Sequence, residues 1–351
     1  MLSPAVAARL PVAVIGAGGI GRAHIECAMQ SDAVAIAAVA DPSVAAREFA
    51  GSLGLPWFAD YRAMLDAVRP AAAIVATPNA QHVDIGIDCI RRGVAVLVEK
   101  PIAESVAEAR RLCDAAARHK VPLLVGHQRR HSSILQAARR LLDNGLIGRP
   151  VSVTALCTWL KPDAYFDTAW RREPGGGPVL INLIHDIDLL RFLLGDIESV
   201  QAVTSNAVRG HAVEDTAALT LRFANGALGA ISVTDAAVAP WNWDLAAGEA
   251  AHYPRQNVNS HYISGTEASL ALPLLEVWRY RDARGWHQPL TVERTQVHAR
   301  DPYSEQLRHL RAVVEEGVAP LCSGPDGMRS LAATLAAHAA AASGRPVSPE
   351  A

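Results

Sequence analysis

The feature that most constrains this chain is a glycine-rich turn that follows a short apolar run. Val12–Ile15 has the composition of a buried strand, and the three glycines that follow it have the G-x-G-x-x-G spacing before a helix begins. In this pattern the first glycine permits a tight turn, the second lets a pyrophosphate approach the backbone, and the third lets the helix pack against the strand. The turn therefore predicts a dinucleotide site. Its predicted cofactor-binding residues are Gly16, Gly18, Gly19, Ile20 and Gly21.

An acidic residue about 20 positions further on favours NAD over NADP as the cofactor. The apolar run Ala35–Ala40 ends in Asp41. A carboxylate at this position can accept a hydrogen bond from the ribose 2′-hydroxyl and would repel a 2′-phosphate. The alternative is a glycine turn that serves packing alone. The strand before the turn and Asp41 after it argue against that alternative.

Composition limits the classes to which the protein can belong. The 351 residues are enough for two domains, and the net charge of −2 predicts neither nucleic-acid nor membrane binding. Five scattered cysteines form no C-x-x-C pair, which suits a reducing cytoplasm. No apolar stretch is long enough to cross a bilayer, and Met1–Arg9 has no signal-peptide pattern.

Strand-like and helical stretches alternate up to about residue 126. Continuous apolar strands separated by amphipathic helices predict a parallel, doubly wound sheet, here a dinucleotide-binding Rossmann domain over residues 1–126. Ligands bind such sheets beyond the carboxyl ends of the strands. The candidate positions are therefore the residues that follow each strand: Gly16–Gly21, Asp41, Thr77–Asn79, Glu99–Pro101 and 126–130.

The pattern changes after that point. Residues 127–351 contain runs with strand-like alternation, a helix over Val179–Leu194, and two helices near the end of the chain. Asn225-Gly226 lies between two of these runs and predicts a hairpin. We expect an α+β substrate-binding and oligomerisation domain with a large, open, mainly antiparallel sheet.

The lysine of Glu99-Lys100-Pro101 has a chemical role to fill beside a dinucleotide. Its ammonium can hydrogen-bond a substrate oxygen and stabilise developing negative charge. Partial burial would lower its pKa toward a useful range. Glu99 is predicted to hold the lysine and to lie at the cofactor.

A polar stripe on the helix Val179–Leu194 supplies a candidate acid or base. Asn182, His185 and Asp188 are spaced by three residues and share one face, whereas Asp186 points elsewhere. His185 is the natural proton acceptor, Asp188 can orient it, and Asn182 can bind the substrate or the imidazole. The alternative is a structural histidine capped by Asp188. A metal site is disfavoured because Asp186 is rotated away, so no metal is predicted.

Further candidates follow the third and fifth predicted strands. Thr77 and Asn79 can line the nicotinamide ribose, with His82 close by, although Asn79 can equally cap the next helix. Arg129 is a candidate for contacting a polar substrate. Together with Arg171 it leaves a carboxylated substrate open.

These motifs, in this order, resemble the glucose–fructose oxidoreductase / inositol dehydrogenase / rhizopine catabolism family over nearly the whole chain. The resemblance implies that Lys100 and His185 are the catalytic pair and that the open sheet forms a homodimer or homotetramer. The family usually has an aspartate four residues before the histidine, where this chain has Ile181. The motifs are Gly16-Ala-Gly-Gly-Ile-Gly21, Ala76-Thr-Pro-Asn79 with His82, Glu99-Lys-Pro101, Gly175-Gly-Gly177, Ile184-His-Asp-Ile-Asp188, Ser323-Gly-Pro-Asp-Gly327 and Ser343-Gly-Arg-Pro346.

The function expected from the sequence is an NAD-dependent oxidoreductase. It would move a hydride between nicotinamide and a secondary alcohol or ketone of a sugar, polyol or cyclic diol. The alternative is a non-catalytic NAD-binding sensor on the same fold, which Ile181 motivates.

Overall fold

The computed structural model describes residues 9–350 in two compact units. Unit 1 contains the described residues up to Gln128 together with Asp301–Met328. Unit 2 contains Arg129–Arg300 and Arg329–Glu350. The domain boundary at residue 126 stays a prediction. The signal-peptide prediction concerns Met1–Arg9, and only Arg9 of that segment falls within the described residues.

Fourteen strands and ten α-helices are described, with several short 3-10 turns and one π-helical turn, Val179–Leu183. The strands are β1 Leu10–Ile15, β2 Val34–Ala40, β3 Trp57–Phe58, β4 Ala72–Val75, β5 Ala95–Glu99, β6 Leu123–Gly126, β7 Pro150–Thr158, β8 Ile197–Ser205, β9 Thr216–Phe223, β10 Leu228–Thr234, β11 His261–Gly265, β12 Ser269–Leu272, β13 Glu276–Arg279 and β14 Thr291–Arg294. The helices are α1 Gly19–Met29, α2 Val44–Ser52, α3 Tyr61–Val68, α4 His82–Arg91, α5 Val106–His119, α6 Ser133–Asp143, α7 Ile184–Leu194, α8 Trp243–Ala247, α9 Pro302–Glu316 and α10 Gly324–Ser343.

Unit 1 contains the predicted parallel sheet. Its six strands lie in the order β3-β2-β1-β4-β5-β6, and every neighbouring pair is parallel. The order reverses at β1, as in doubly wound folds. Strands β4 and β5 are buried at every residue, because both faces of the sheet are covered. The Rossmann prediction is confirmed.

Helix boundaries in unit 1 follow from local chemistry. The hydroxyl of Ser43 accepts a hydrogen bond from the Ala46 N–H at the start of α2, and Ser105 does the same for Glu108 at the start of α5. Helix α9 lies far along the chain but contributes buried leucines to the same core as β1 and β2.

Unit 2 is built on an eight-stranded sheet in the order β14-β13-β12-β11-β7-β10-β9-β8. Only the β7–β10 pair is parallel, so the expected mainly antiparallel sheet is confirmed. Buried and exposed residues alternate along β9, and the buried face joins residues of α6, α7 and α10 in one core. The Asn225-Gly226 hairpin is confirmed between β9 and β10, with Gly226 at φ +88°.

The structure differs from the sequence expectation in several elements. Strand β3 has two residues and β12 has four, too few for a periodic pattern, and neither was predicted. Helix α1 begins at Gly19, inside the glycine turn that was expected to precede it. The segment 241–254 contains α8, and Trp243 within it is buried. No helix among residues 9–350 is long and apolar enough to cross a membrane.

Candidate active site

The glycine turn after β1 leaves no room for a side chain at its two outer glycines, Gly16 and Gly21. Gly16 has φ +92°, and a Cβ there would lie 2.6 Å from the carbonyl oxygen of Ala76. A Cβ on Gly21 would collide with the carbonyl oxygen of Gly16. Only glycine therefore lets α1 approach the end of β1 this closely.

The same turn is open where a pyrophosphate would approach. A Cβ at Gly18 or Gly19 would meet no atom within 4 Å, and both residues are exposed at the N-terminus of α1. The neighbouring Thr77 has a buried hydroxyl with no hydrogen-bond partner among the described residues. An open helix N-terminus beside an unpartnered hydroxyl fits a bound dinucleotide.

Asp41 is tied to this turn by its own hydrogen bonds. Its Oδ2 accepts the Ala17 N–H at 2.8 Å, and its Oδ1 accepts the Ser43 N–H at 2.8 Å. Partial burial raises the pKa of the Asp41 carboxyl, but these hydrogen bonds outweigh burial and hold the pKa below its usual range. The residue is ionised near neutral pH, as the exclusion of a 2′-phosphate requires.

Glu99 is buried and bonded to His24, which is also buried. His24 Nε2 lies 2.7 Å from Glu99 Oε1, and the imidazole packs edge-on against Tyr303. The other carboxylate oxygen accepts the Lys100 N–H at 3.2 Å. Burial raises the pKa of Glu99, while the bond from His24 and the nearby Lys100 charge lower it more. Glu99 therefore holds the backbone of Lys100 at the end of β5.

His82 joins two turns of the same sheet edge. Its Nδ1 lies 2.9 Å from the Pro101 carbonyl oxygen and its Nε2 lies 2.9 Å from that of Thr77. Burial lowers the pKa of the imidazole. Both ring nitrogens face backbone carbonyls, so His82 connects these two turns, and its cofactor contact stays a prediction. Asn79 begins a short 3-10 helix and remains half-buried.

In unit 2, the π-helical turn changes the register of the predicted polar stripe. Asn182 lies in this turn, and His185 lies in the first turn of α7, half-buried. π-Helical turns are common at functional sites. The Oδ1 atom of Asn182 accepts a hydrogen bond from Lys161 Nζ at 2.7 Å.

Lys161 is a buried cation that sequence reasoning missed. Only 5% of the residue is exposed, and its Nζ lies 3.3 Å from Asp235 Oδ2. Burial lowers the pKa of the ammonium, and Asp235 offsets part of that effect. Two signals were present in the sequence: Lys161 is one of only three lysines, and it follows a predicted strand between two aromatic residues, Trp159 and Tyr165.

Two predicted site residues belong to buried ion pairs. Asp188 accepts two hydrogen bonds from Arg130, at 2.8 and 2.9 Å, and one from the Ser330 hydroxyl at 2.7 Å. Arg129 donates to Asp186 at 3.1 Å and to Asp244 at 3.0 Å. The buried guanidinium of Arg129 thus binds two carboxylates, and its substrate contact stays a prediction. That Asp188 orients His185 stays a prediction.

A cavity of about 670 Å³ opens in unit 2 beside Lys161. Its wall is mostly apolar and aromatic, which is typical of small-molecule sites. The segment 241–254 contributes part of this wall. The lining residues used below are Trp159, Lys161, Tyr165, Leu245 and Tyr253.

The fold and the glycine turn define a dinucleotide-binding oxidoreductase that uses NAD. Residues 10–127 match the oxidoreductase family with an NAD-binding Rossmann fold, and residues 135–271 match the C-terminal domain of the same family. The chain belongs to the GFO/IDH/MocA family, which confirms the resemblance found in the sequence.

Similar proteins span much or nearly all of the chain. The rhizopine catabolism protein MocA of Rhizobium meliloti is 31% identical over 64% of this chain and 71% of its own length. An inositol 2-dehydrogenase of the same species is 27% identical over 95% and 98%. An oxidoreductase from Agrobacterium radiobacter, solved with NAD+, L-tartaric acid and magnesium, has a TM-score of 0.81 at 21% identity and covers 97% of this chain and 98% of its own. At that identity the last likeness shows the fold alone.

Proposed function

We propose that this oxidoreductase transfers a hydride between NAD and a secondary alcohol or ketone of a sugar, polyol or cyclic diol. The inositol 2-dehydrogenase relative acts on a molecule of this class, as its name states. When bound, NAD supplies or accepts the hydride. The observation that carries the proposal is the placement of Lys100 at the carboxyl end of β5, on the sheet edge where the open glycine turn follows β1.

Each catalytic residue has a distinct role in this proposal. Lys100 hydrogen-bonds the reacting oxygen and stabilises its negative charge as the hydroxyl proton leaves. His185 accepts that proton in the oxidative direction and returns it in the reductive one, because an imidazole titrates near neutral pH. Asn182 is a further substrate contact. The glycine turn, Asp41 and Thr77 hold the cofactor.

The test compares Lys100, Lys120 and His185. Lys100→Met and His185→Asn are each expected to lower kcat by about 10²–10⁴-fold, the usual contribution of a proton-transfer group, with the Kd for NAD unchanged. Lys120→Met is the matched control, because Lys120 is the exposed lysine. Turnover is followed by reduced-nicotinamide absorbance on a panel of polyols and sugars. Unchanged kcat in the Lys100→Met variant contradicts the assignment.

One observation favours a second candidate function. Ile181 occupies the position where the resemblance implies an aspartate, so a non-catalytic NAD sensor on the same fold is the competing proposal. The oxidoreductase and sensor proposals predict different results for one measurement on the wild-type protein. Tight NAD binding without reduced nicotinamide from any substrate of the panel favours the sensor.

We also propose a homodimer or homotetramer formed through the sheet of unit 2, located in the cytoplasm. The face of this sheet opposite the core presents small and aromatic residues, including Ala218, Ala230 and Tyr262. All five cysteines are free thiols, which suits a reducing compartment. Light scattering of Tyr262→Glu is expected to show dissociation, whereas Val44→Glu on α2 leaves the mass unchanged.

A further inference from the structure

Positive charge is concentrated around one aromatic pair at the cavity of unit 2. The ring of Tyr165 lies 4.6 Å from Lys161 Nζ and 4.0 Å from the guanidinium of Arg171. The adjacent ring of Phe166 has the Arg209 guanidinium 4.1 Å away. Three cations therefore contact two neighbouring side chains.

A single buried carboxylate serves two of these cations. Asp235 is 1% exposed; its Oδ2 lies 3.3 Å from Lys161 Nζ and its Oδ1 lies 3.1 Å from Arg209 Nε. The second acidic neighbour of Arg209, Asp163, is 3.5 Å away and fully exposed, so solvent screens it. Arg171 forms no ion pair among residues 9–350. Lys161 and Asp235 are the buried charges of the cluster, and Arg171 and Arg209 are half-buried.

Buried hydrogen-bond donors at the same place also have no acceptor. Trp159 lines the cavity and is 9% exposed, and its buried Nε1 has no partner among the described residues. The Nε of Arg171 is buried and likewise has none in that part of the chain. Buried donors are nearly always satisfied in folded proteins, so these point to an acceptor supplied by a ligand.

We propose that this cavity binds the substrate and that Lys161, with Trp159, selects a substrate carrying a carboxylate, such as a sugar acid. The Asn182 amide links Lys161 to the helical turn that precedes His185. A carboxylate fits better than a phosphate dianion, because Lys161 already donates to Asn182 and Asp235, leaving one ammonium hydrogen and the indole N–H for the ligand. The proposal rests on the proposed function and names its substrate class.

Binding is measured by calorimetry without nicotinamide, so the result does not depend on hydride transfer. The probes are sugar acids of four to six carbons, including D-gluconate and D-glucuronate, each paired with its neutral polyol or sugar. Wild-type protein is expected to bind at least one acid about tenfold more tightly than its neutral partner. If a sugar acid binds but yields no reduced nicotinamide in the turnover assay, the proposed function is contradicted and the carboxylate proposal is not. Equal affinity across all pairs, or tighter binding of inorganic phosphate, overturns the carboxylate proposal.

Three variants separate recognition from folding. Lys161→Met is expected to weaken acid binding at least tenfold and to weaken binding of the neutral partners much less, Lys161→Arg restores part of the affinity, and Lys120→Met has no effect. Asp235→Asn removes the competing carboxylate and is expected to tighten acid binding. A purely structural Lys161–Asp235 pair would instead weaken binding in both variants, and that result also overturns the proposal. Circular dichroism confirms that each variant is folded.

Discussion

The imidazole of His24 and the carboxylate of Glu99 form a buried pair directly before Lys100, with Nε2 2.7 Å from Oε1. Removal of the imidazole leaves a buried carboxylate with one donor fewer. His24→Ala is therefore expected to lower the free energy of unfolding by about 1–3 kcal/mol, measured by urea denaturation. His119→Ala, at an exposed histidine of α5, is the control. Equal stability of the two variants would show that the His24–Glu99 pair contributes nothing to the free energy of unfolding.

The same pair predicts how stability depends on pH. Because the pKa of Glu99 is lower in the folded protein than in the unfolded chain, its contribution is fully present above about pH 4.3. That contribution is lost as the pH falls through the folded value. The stability advantage of wild type over Glu99→Gln is expected to shrink on acidification. An advantage that stays constant from pH 7 to pH 3 would contradict this assignment.

The glycines of the first turn are expected to respond differently to alanine. Gly21→Ala should prevent folding or lower the free energy of unfolding by several kcal/mol, because its Cβ meets the Gly16 carbonyl. Gly18→Ala has open space and should fold normally but bind NAD more weakly. Gly51→Ala, in α2 with open space, should raise stability by up to about 1 kcal/mol. A Gly21→Ala protein of wild-type stability would refute the close approach.

Asp41 is expected to set the cofactor preference. Asp41→Asn keeps the shape of the side chain and removes its charge, so the ratio of the Kd for NADP to the Kd for NAD should fall about 10- to 100-fold, as expected for a charge-assisted hydrogen bond and lost repulsion. Both constants are measured by fluorescence titration. Asp60→Asn, at the start of α3, is the control. An unchanged ratio of the two Kd values would show that Asp41 does not set the cofactor preference.

The Arg130–Asp188 pair is expected to be worth far more than a surface pair. Both residues are at most 4% exposed, so Arg130→Met would leave a buried carboxylate and cost about 3–5 kcal/mol. Arg279 and Glu293 form an exposed pair at 2.9 Å, and Arg279→Met should cost less than about 1 kcal/mol. Chemical denaturation of both variants provides the comparison. Similar losses of stability in the two variants would mean that burial does not determine how much these ion pairs contribute.

Lys161 is expected to release its proton at a lower pH than an ordinary lysine side chain. The sequence has three lysines, so protein labelled with [13Cε]lysine gives three resonances that variants assign. The pKa of Lys161 is lowered by burial in the folded protein, so its contribution to stability rises as the pH climbs from the folded value toward about 10.4. Titration of Lys161 at or above about pH 10.4, the ordinary value for lysine, would contradict the burial effect.

The sequence predicted the fold class and most elements because both depend on local pattern. Continuous apolar runs gave the parallel strands, and strict alternation gave strands such as β9. The short strands β3 and β12 were not predicted from the sequence, because two or four residues form a strand only when a neighbouring strand is present to pair with them. Short elements are decided by partners that are distant in sequence.

For the candidate site, spacing identified residues but not their partners. Gly16, Gly18 and Gly21 were found because their backbone geometry is a local property. Arg129 was assigned to the substrate, yet its guanidinium binds Asp186 and Asp244, which lie 57 and 115 residues away in the chain. Lys161 was overlooked because its burial depends on Asp235.

The sequence by itself determined the glycine turn, the parallel sheet and the identity of the candidate proton-transfer groups, since each is encoded in residues that are near neighbours in the chain. Tertiary structure decided which charges are buried together: His24 with Glu99, Arg130 with Asp188, and Lys161 with Asn182 and Asp235. The reason is physical. The energy of a charge depends on how far water is excluded and on which groups replace it, and only the folded chain sets both.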